Sequence, residues 1–198
     1  VRPWGFGEVF DLQRTVGGGL LMLGALTITL FQASQSNIPR DPAMVARRFL
    51  KAAQTGNATA QFNLGVLYDT GRGVPRDLII AMNWYRKAAH QGFAEAQFNL
   101  AQMYRQGEGA EHDAAQAVKW FLKAAKQSHV LSQFNLSLMY EQGVGVDKDD
   151  TKAAVWCRKA AEQGHADAQY NLAQMYRLGQ GVPCDAAEAS KWFRRAAA

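Results

Sequence analysis

The chain has 198 residues, 48% apolar and 20% charged, which excludes a disordered protein and leaves room for one elongated or two small domains. A formal net charge of +5 and a pI near 9.3 favour acidic partners or anionic lipid weakly and make no case for nucleic-acid binding. The two cysteines, Cys157 and Cys184, are too few for a disulfide framework and form no CxxC pair.

Residues 1–15 form a leading segment with Trp4, Phe6 and Phe10. No charged side chain occurs from Thr15 to Pro39, and Val16 to Phe31 are almost wholly apolar. As a helix this run falls a little short of a bilayer core of about 30 Å, and extending it to Ala33 nearly suffices. Residues 16–36 thus read as a membrane anchor or a cleaved signal, with Ser34-Gln35-Ser36 as a possible cut. The anchor is favoured, because the preceding stretch is long for a signal and its aromatic rings suit a membrane interface. An apolar helix docked inside a larger assembly also fits. Glu8 and Asp11 argue against an intact transit peptide, and Val1 in place of Met points to processing or to sequence upstream. Arginines on both sides leave the orientation open.

Residues 37–57 read as a linker and a half-repeat, and residues 58–198 as one unit repeated four times. Gln61, Gln97, Gln133 and Gln169 stand 36 residues apart, as do Trp84, Trp120, Trp156 and Trp192, and Asp77, Asp113, Asp149 and Asp185. Lys51-Ala52-Ala53 is the second half of a further unit, a common start for a solenoid. Each unit predicts two helices. Helix A of the second unit spans about Ala94 to Gln106. Gly107 and Gly109 then break it, and Asp113 caps a helix B that runs to about Gln127. Gly56, Gly92 and Gly164 end the B helices, with Ser128 in the equivalent place.

Helical phase places Gln61, Leu64, Gly65 and Tyr68 on one packed face of helix A, and Ala81, Trp84, Tyr85 and Ala88 on the inward stripe of helix B. Position 65 is small in every unit (Gly65, Ala101, Ser137, Ala173), so neighbouring helices can approach closely. A buried Gln amide needs partners, and a repeated hydrogen bond to a neighbouring helix or loop backbone would supply one. Asn63, Asn99, Asn135 and Asn171 fall at the edge of the variable face. A structural role is favoured over a row of ligand contacts.

The recurring pattern A-x-A-Q-x-N-L-x-x-x-Y-x-x-G-x-G-V, then Asp77, Ala81, Trp84, Tyr85, Ala88 and Ala89 in the first full unit, closely resembles the Sel-one-like repeat, a relative of the tetratricopeptide repeat. The resemblance covers about residues 43–198, four and a half units. It implies an all-α fold: a right-handed α/α superhelical solenoid that holds other proteins, often in membrane-linked complexes or secretory pathways. Cysteine-rich members linked to β-lactams have paired cysteines in each unit; this chain lacks them.

No catalytic set emerges. His90, His112, His129 and His165 are scattered, and the glycine turns lack the Lys-Ser or Lys-Thr of a phosphate loop. The chain therefore reads as a non-enzyme with no cofactor and no metal. Two surfaces are candidates for a protein partner. One is the variable face of the A helices, which such superhelices usually turn inward. It includes Asn99, Gln102, Gln106, Leu138, Gln142, Gln174 and Leu178. The other is a basic ridge on the B helices, including Lys119 and Lys123, which is either solvated or faces anionic lipid or an acidic subunit. The expected function is an anchored, non-catalytic interaction subunit of a membrane complex, with the membrane met through residues 16–33. The alternative is a secreted or periplasmic adaptor that holds a peptide in its groove after signal removal. The closing Ala196-Ala197-Ala198 has no polar capping helix, which predicts either further chain or a covering partner.

Overall fold

The computed structural model describes residues 41–197. The expected anchor or signal at 16–36 and the leading segment lie outside the described residues. Among the described residues, no helix is long and apolar enough to cross a membrane. Pro42–Ala198 forms a compact unit of its own.

This unit is a stack of helices joined by tight turns, with no strand among the described residues. In chain order the helices are α1 (Pro42–Gln54), α2 (Ala58–Thr70), α3 (Leu78–His90), α4 (Ala94–Gln106), α5 (Ala114–Lys126), α6 (Val130–Gln142), α7 (Asp150–Glu162), α8 (Ala166–Leu178) and α9 (Ala186–Ala196). The even-numbered helices are the A helices and the odd-numbered ones the B helices, α1 being the half-repeat. Each packs against its neighbours in sequence. Helix α4 has the predicted bounds, and α5 ends at Lys126 with Gln127 as its cap.

Local chemistry sets the boundaries. Asp77, Asp113, Asp149 and Asp185 cap α3, α5, α7 and α9, their carboxylates accepting from the backbone N–H groups of Ile80, Gln116, Lys152 and Glu188 at 2.8–3.0 Å. The A helices end at Gly71, Gly107, Gly143 and Gly179, all left-handed. At the turns after the B helices, Gly56, Gly92 and Gly164 have positive φ, and Ser128 adopts φ 66° in the same place.

The second glycine of each A–B loop fixes one unit against the last. A Cβ added to Gly109 would lie 2.5 Å from the carbonyl oxygen of Leu78, the first residue of the preceding B helix. Gly73, Gly145 and Gly181 meet the carbonyls of Pro42, Ala114 and Asp150 in the same way, closer still.

The core shows complementary volumes. A Cβ on Gly65 would meet the Tyr85 ring at 2.7 Å, so the largest B-helix knob faces the smallest A-helix hole. The equivalent pairs are Ala101 with Phe121, Ser137 with Cys157, and Ala173 with Phe193. Cys157 is a small core residue, as expected. Its thiol donates to the Ala168 carbonyl at 3.2 Å, and burial pushes its pKa up to about 12. Trp84 departs from the expected inward stripe. Ala81, Tyr85 and Ala88 are buried, whereas Trp84 is half-buried at the edge with the Lys87 ammonium 4.1 Å above its ring.

The repeated glutamine has two partners. Gln61, Gln97 and Gln133 donate through Nε2 to the carbonyls of Ala53, Ala89 and Ala125, in the last turn of the preceding B helix, at 3.0–3.1 Å. Their Oε1 atoms accept from Gln91, Gln127 and Gln163, at the C-terminus of the following B helix, at 2.7–2.8 Å. Gln169 repeats the first bond, to Ala161 at 3.1 Å.

Two A helices have histidine caps. His129 and His165 accept through Nδ1 from the N–H groups of Ser132 and Ala168 at 3.2 and 3.3 Å. Their rings pack on Phe98 and Phe134 at 4.9 and 4.5 Å. A protonated ring can no longer accept, and its charge opposes the helix dipole.

Two predictions rest on these contacts. Gly109→Ala adds left-handed strain and a backbone clash, and is expected to lower unfolding free energy by about 2 kcal/mol or more in a denaturant melt; Ser128→Gly raises it by about 1 kcal/mol. An unchanged midpoint in either variant contradicts the turn geometry. The second concerns pH. Burial pushes both histidine caps below the usual imidazole pKa, only partly offset by Glu95 and Asp167. The folded state then binds fewer protons than the unfolded one, so stability is complete above about pH 6.5 and declines as pH falls through it. Replacing both with Asn keeps the caps and flattens this decline; an identical pH profile in the double variant contradicts the assignment.

Candidate protein-binding surfaces

The variable face of the A helices is narrower than helical phase suggests. Of the residues expected there, Gln106 and Gln142 are exposed, and so is Leu178 at 65%. They occupy one register at the C-terminal ends of α4, α6 and α8. Leu138 and Gln174 are half-buried, with Gln174 Nε2 donating to the Tyr170 hydroxyl at 2.9 Å.

Gln102 corrects the sequence reading, for it is buried at 9% exposure. Helix α4 packs against α3 and α5, so more of its surface is covered than the phase of one helix reveals. The Oε1 atoms of Gln102 and Gln174 are buried and accept no hydrogen bond.

Two members of the asparagine row have structural bonds. Asn63 and Asn135 turn back on their own helices, donating to the carbonyls of Thr59 and Leu131 at 2.8 and 2.7 Å. Asn99 lies beside the Tyr85 hydroxyl, which donates to Asp69 Oδ2 at 3.3 Å. Burial, with the Asp69 charge beside it, raises the Tyr85 phenol well above its ordinary pKa, so it stays neutral and its hydrogen bond ties α3 to α2.

Lys119 and Lys123 belong to a separate, B-helix surface. Both are exposed, and Lys123 Nζ sits 3.9 Å over the Trp120 ring. Charge is sorted between the two kinds of helix. The B helices carry fourteen Lys and Arg against three Asp and Glu; the A helices carry two against four. Two half-buried arginines tie the surfaces together: Arg86 and Arg158 donate to the hydroxyls of Tyr104 and Tyr176, one unit on. Cys184 is exposed and both cysteines are free. Among the described residues no group of His, Cys, Asp and Glu could hold a metal ion.

Comparison with known proteins agrees with this geometry. The Sel1 repeat model matches residues 58–93, 94–129, 130–165 and 166–198. Among solved structures, the chain is similar to a protective antigen of uropathogenic Escherichia coli displaying an SLR fold, with 36% identity and a TM-score of 0.81 over 86% of this chain. It spans only 37% of that protein's length. It is also similar to a Sel1 repeat protein from Oxalobacter formigenes, with 30% identity and a TM-score of 0.79, covering 97% of this chain and 79% of the other. An immunity protein from Pseudomonas aeruginosa shares the fold alone, at 24% identity and a TM-score of 0.50 over 82% of this chain and 59% of its own. No curated protein sequence matches the chain.

A melt of single variants checks the corrected face. Gln102→Met removes a buried acceptor that has no donor and is expected to raise unfolding free energy by about 1 kcal/mol. Gln106→Ala and Gln142→Ala stay within about 0.5 kcal/mol of the parent. A loss of stability in Gln102→Met would place that side chain among the bonded core amides instead.

Proposed function

The chain belongs to the Sel1 repeat family, whose members are generally protein-interaction scaffolds and typically non-catalytic, and on that premise we propose that it is a non-catalytic scaffold held at a membrane as an accessory or assembly subunit of a larger complex. The observation that carries the reading is the division of labour within each unit. The side chains that lock the stack repeat almost unchanged. Variation gathers where α2, α4, α6 and α8 meet solvent: Thr70, Gln106, Gln142 and Leu178 at one register, and Thr59, Glu95, Leu131 and Asp167 at another. A rigid stack with a variable rim suits holding a partner in a fixed orientation. The uncharged run at residues 16–36 supports a membrane setting, since it nearly suffices to span a bilayer.

The test is native mass after extraction from its own membranes in mild detergent. The full chain is expected to run far above its own 21.8 kDa. A variant carrying Gln106→Glu, Gln142→Glu and Leu178→Glu is expected to melt like the parent yet leave the complex, because desolvating unpaired carboxylates at an interface costs several kcal/mol. A chain that runs alone, or a variant that stays in the complex, contradicts the proposal. A free species beginning near Asn37 would favour the adaptor reading.

A further inference from the structure

Five cations of the B helices hold one register: Lys51, Lys87, Lys123, Lys159 and Arg195, all exposed. None of them makes an ion pair among the described residues. Four lie over the indole three residues earlier. Lys87, Lys123 and Lys159 sit 4.1, 3.9 and 4.3 Å from the ring centres of Trp84, Trp120 and Trp156, and the Arg195 guanidinium sits 4.8 Å from that of Trp192. A carboxylate partner would cancel the charge. An aromatic face steadies the cation and leaves its charge directed outward. Because the unit repeats its contacts, these positions form a row along the stack.

Three features decide what the row meets. It is mostly lysine, which is depleted at protein interfaces, where arginine and uncovered aromatic rings supply the energy. The rings here lie beneath the cations, Trp120 and Trp192 at 7% and 4% exposure and Trp84 and Trp156 half-buried, so little of any indole face is left open to a partner's side chain. The charge also runs the length of the stack, from α1 to α9, instead of gathering at one point. A protein partner needs a buried apolar centre. A layer of anionic headgroups needs only accessible, hydrated positive charge. We propose that the B-helix face of the repeat unit adsorbs to a bilayer surface rich in anionic headgroups, through the row from Lys51 to Arg195. The inference rests on the membrane-held reading for its setting, though its chemistry is independent of any anchor.

The experiment adds the full chain to vesicles of pure phosphatidylcholine and to vesicles that also contain phosphatidylserine, at low and at high salt. The expected result is stronger partitioning onto the phosphatidylserine vesicles, with the difference removed by salt. Combining Lys87→Gln, Lys123→Gln and Lys159→Gln is expected to weaken that partitioning about a hundredfold, at roughly fivefold per cation. A circular-dichroism melt establishes that the variant is folded, and its partitioning onto pure phosphatidylcholine stays that of the parent. Equal binding to both vesicles, unmoved by the three substitutions, overturns the adsorbing face while leaving an anchoring segment standing. Binding to neither overturns both. A variant that keeps the full phosphatidylserine preference overturns the assignment to this row. Salt-sensitive capture of polyglutamate without any phosphatidylserine preference overturns it in favour of an acidic protein.

Discussion

The carboxamide of Gln97 is buried, so both of its ends have to be used. Its nitrogen donates to Ala89, in the last turn of α3, and its oxygen accepts from Gln127, at the end of α5. One side chain on α4 thereby joins the helices before and after it. The Ala89 bond crosses to the preceding unit and the Gln127 bond ties the two helices of its own unit, so together they fix the spacing and rotation of each unit on the last. An apolar residue of similar size could fill the volume but could not specify that geometry. This is why a polar residue recurs close to the buried Leu position of the repeat.

The other constraints work with this bridge. Loop glycines let each A–B turn rest on the first carbonyl of the preceding B helix, a contact that a Cβ would forbid. Knob and hole volumes vary in concert along the stack, from Tyr85 over Gly65 to Cys157 beside Ser137. Once register is fixed in this way, equivalent positions form rows, and a row amplifies whatever chemistry its position carries. On the A helices the rows are variable and slightly acidic. On the B helices they are basic and seated on indole rings. A single scaffold thus presents two chemically distinct faces without any device beyond repetition.

Much of this was legible in the sequence because each unit restates it. The aspartate caps, the glycine stops, the bounds of α4 and the need for a partner at the repeated Gln all follow from local chemistry seen four times. Gln102 was misread because helical phase describes one helix, while burial in a stack depends on the helices to either side. Trp84 was misread for a related reason: an indole at the stripe's edge can turn its face to a lysine. The histidine caps had a signal that went unused. His129 and His165 stand at the position of Asn57, a good capping residue, but only the ring geometry shows Nδ1 reaching the helix N–H. The glycine-to-carbonyl contacts between units had no sequence signal beyond the invariance of the second glycine.

The central claim is that the repeated glutamine is architecture, and the most direct measurement is the unfolding free energy of Gln97→Met beside that of Gln127→Ala. The first keeps the volume but removes the Nε2–H donated to the Ala89 carbonyl, which keeps its turn bond from Gly92 N–H, so a loss of about 1 kcal/mol is predicted. The second removes only the outer bond, from an exposed residue, and should lose less. A Gln97→Met chain that melts at or above the parent midpoint would contradict the account, because the amide would then not be what holds one unit to the next.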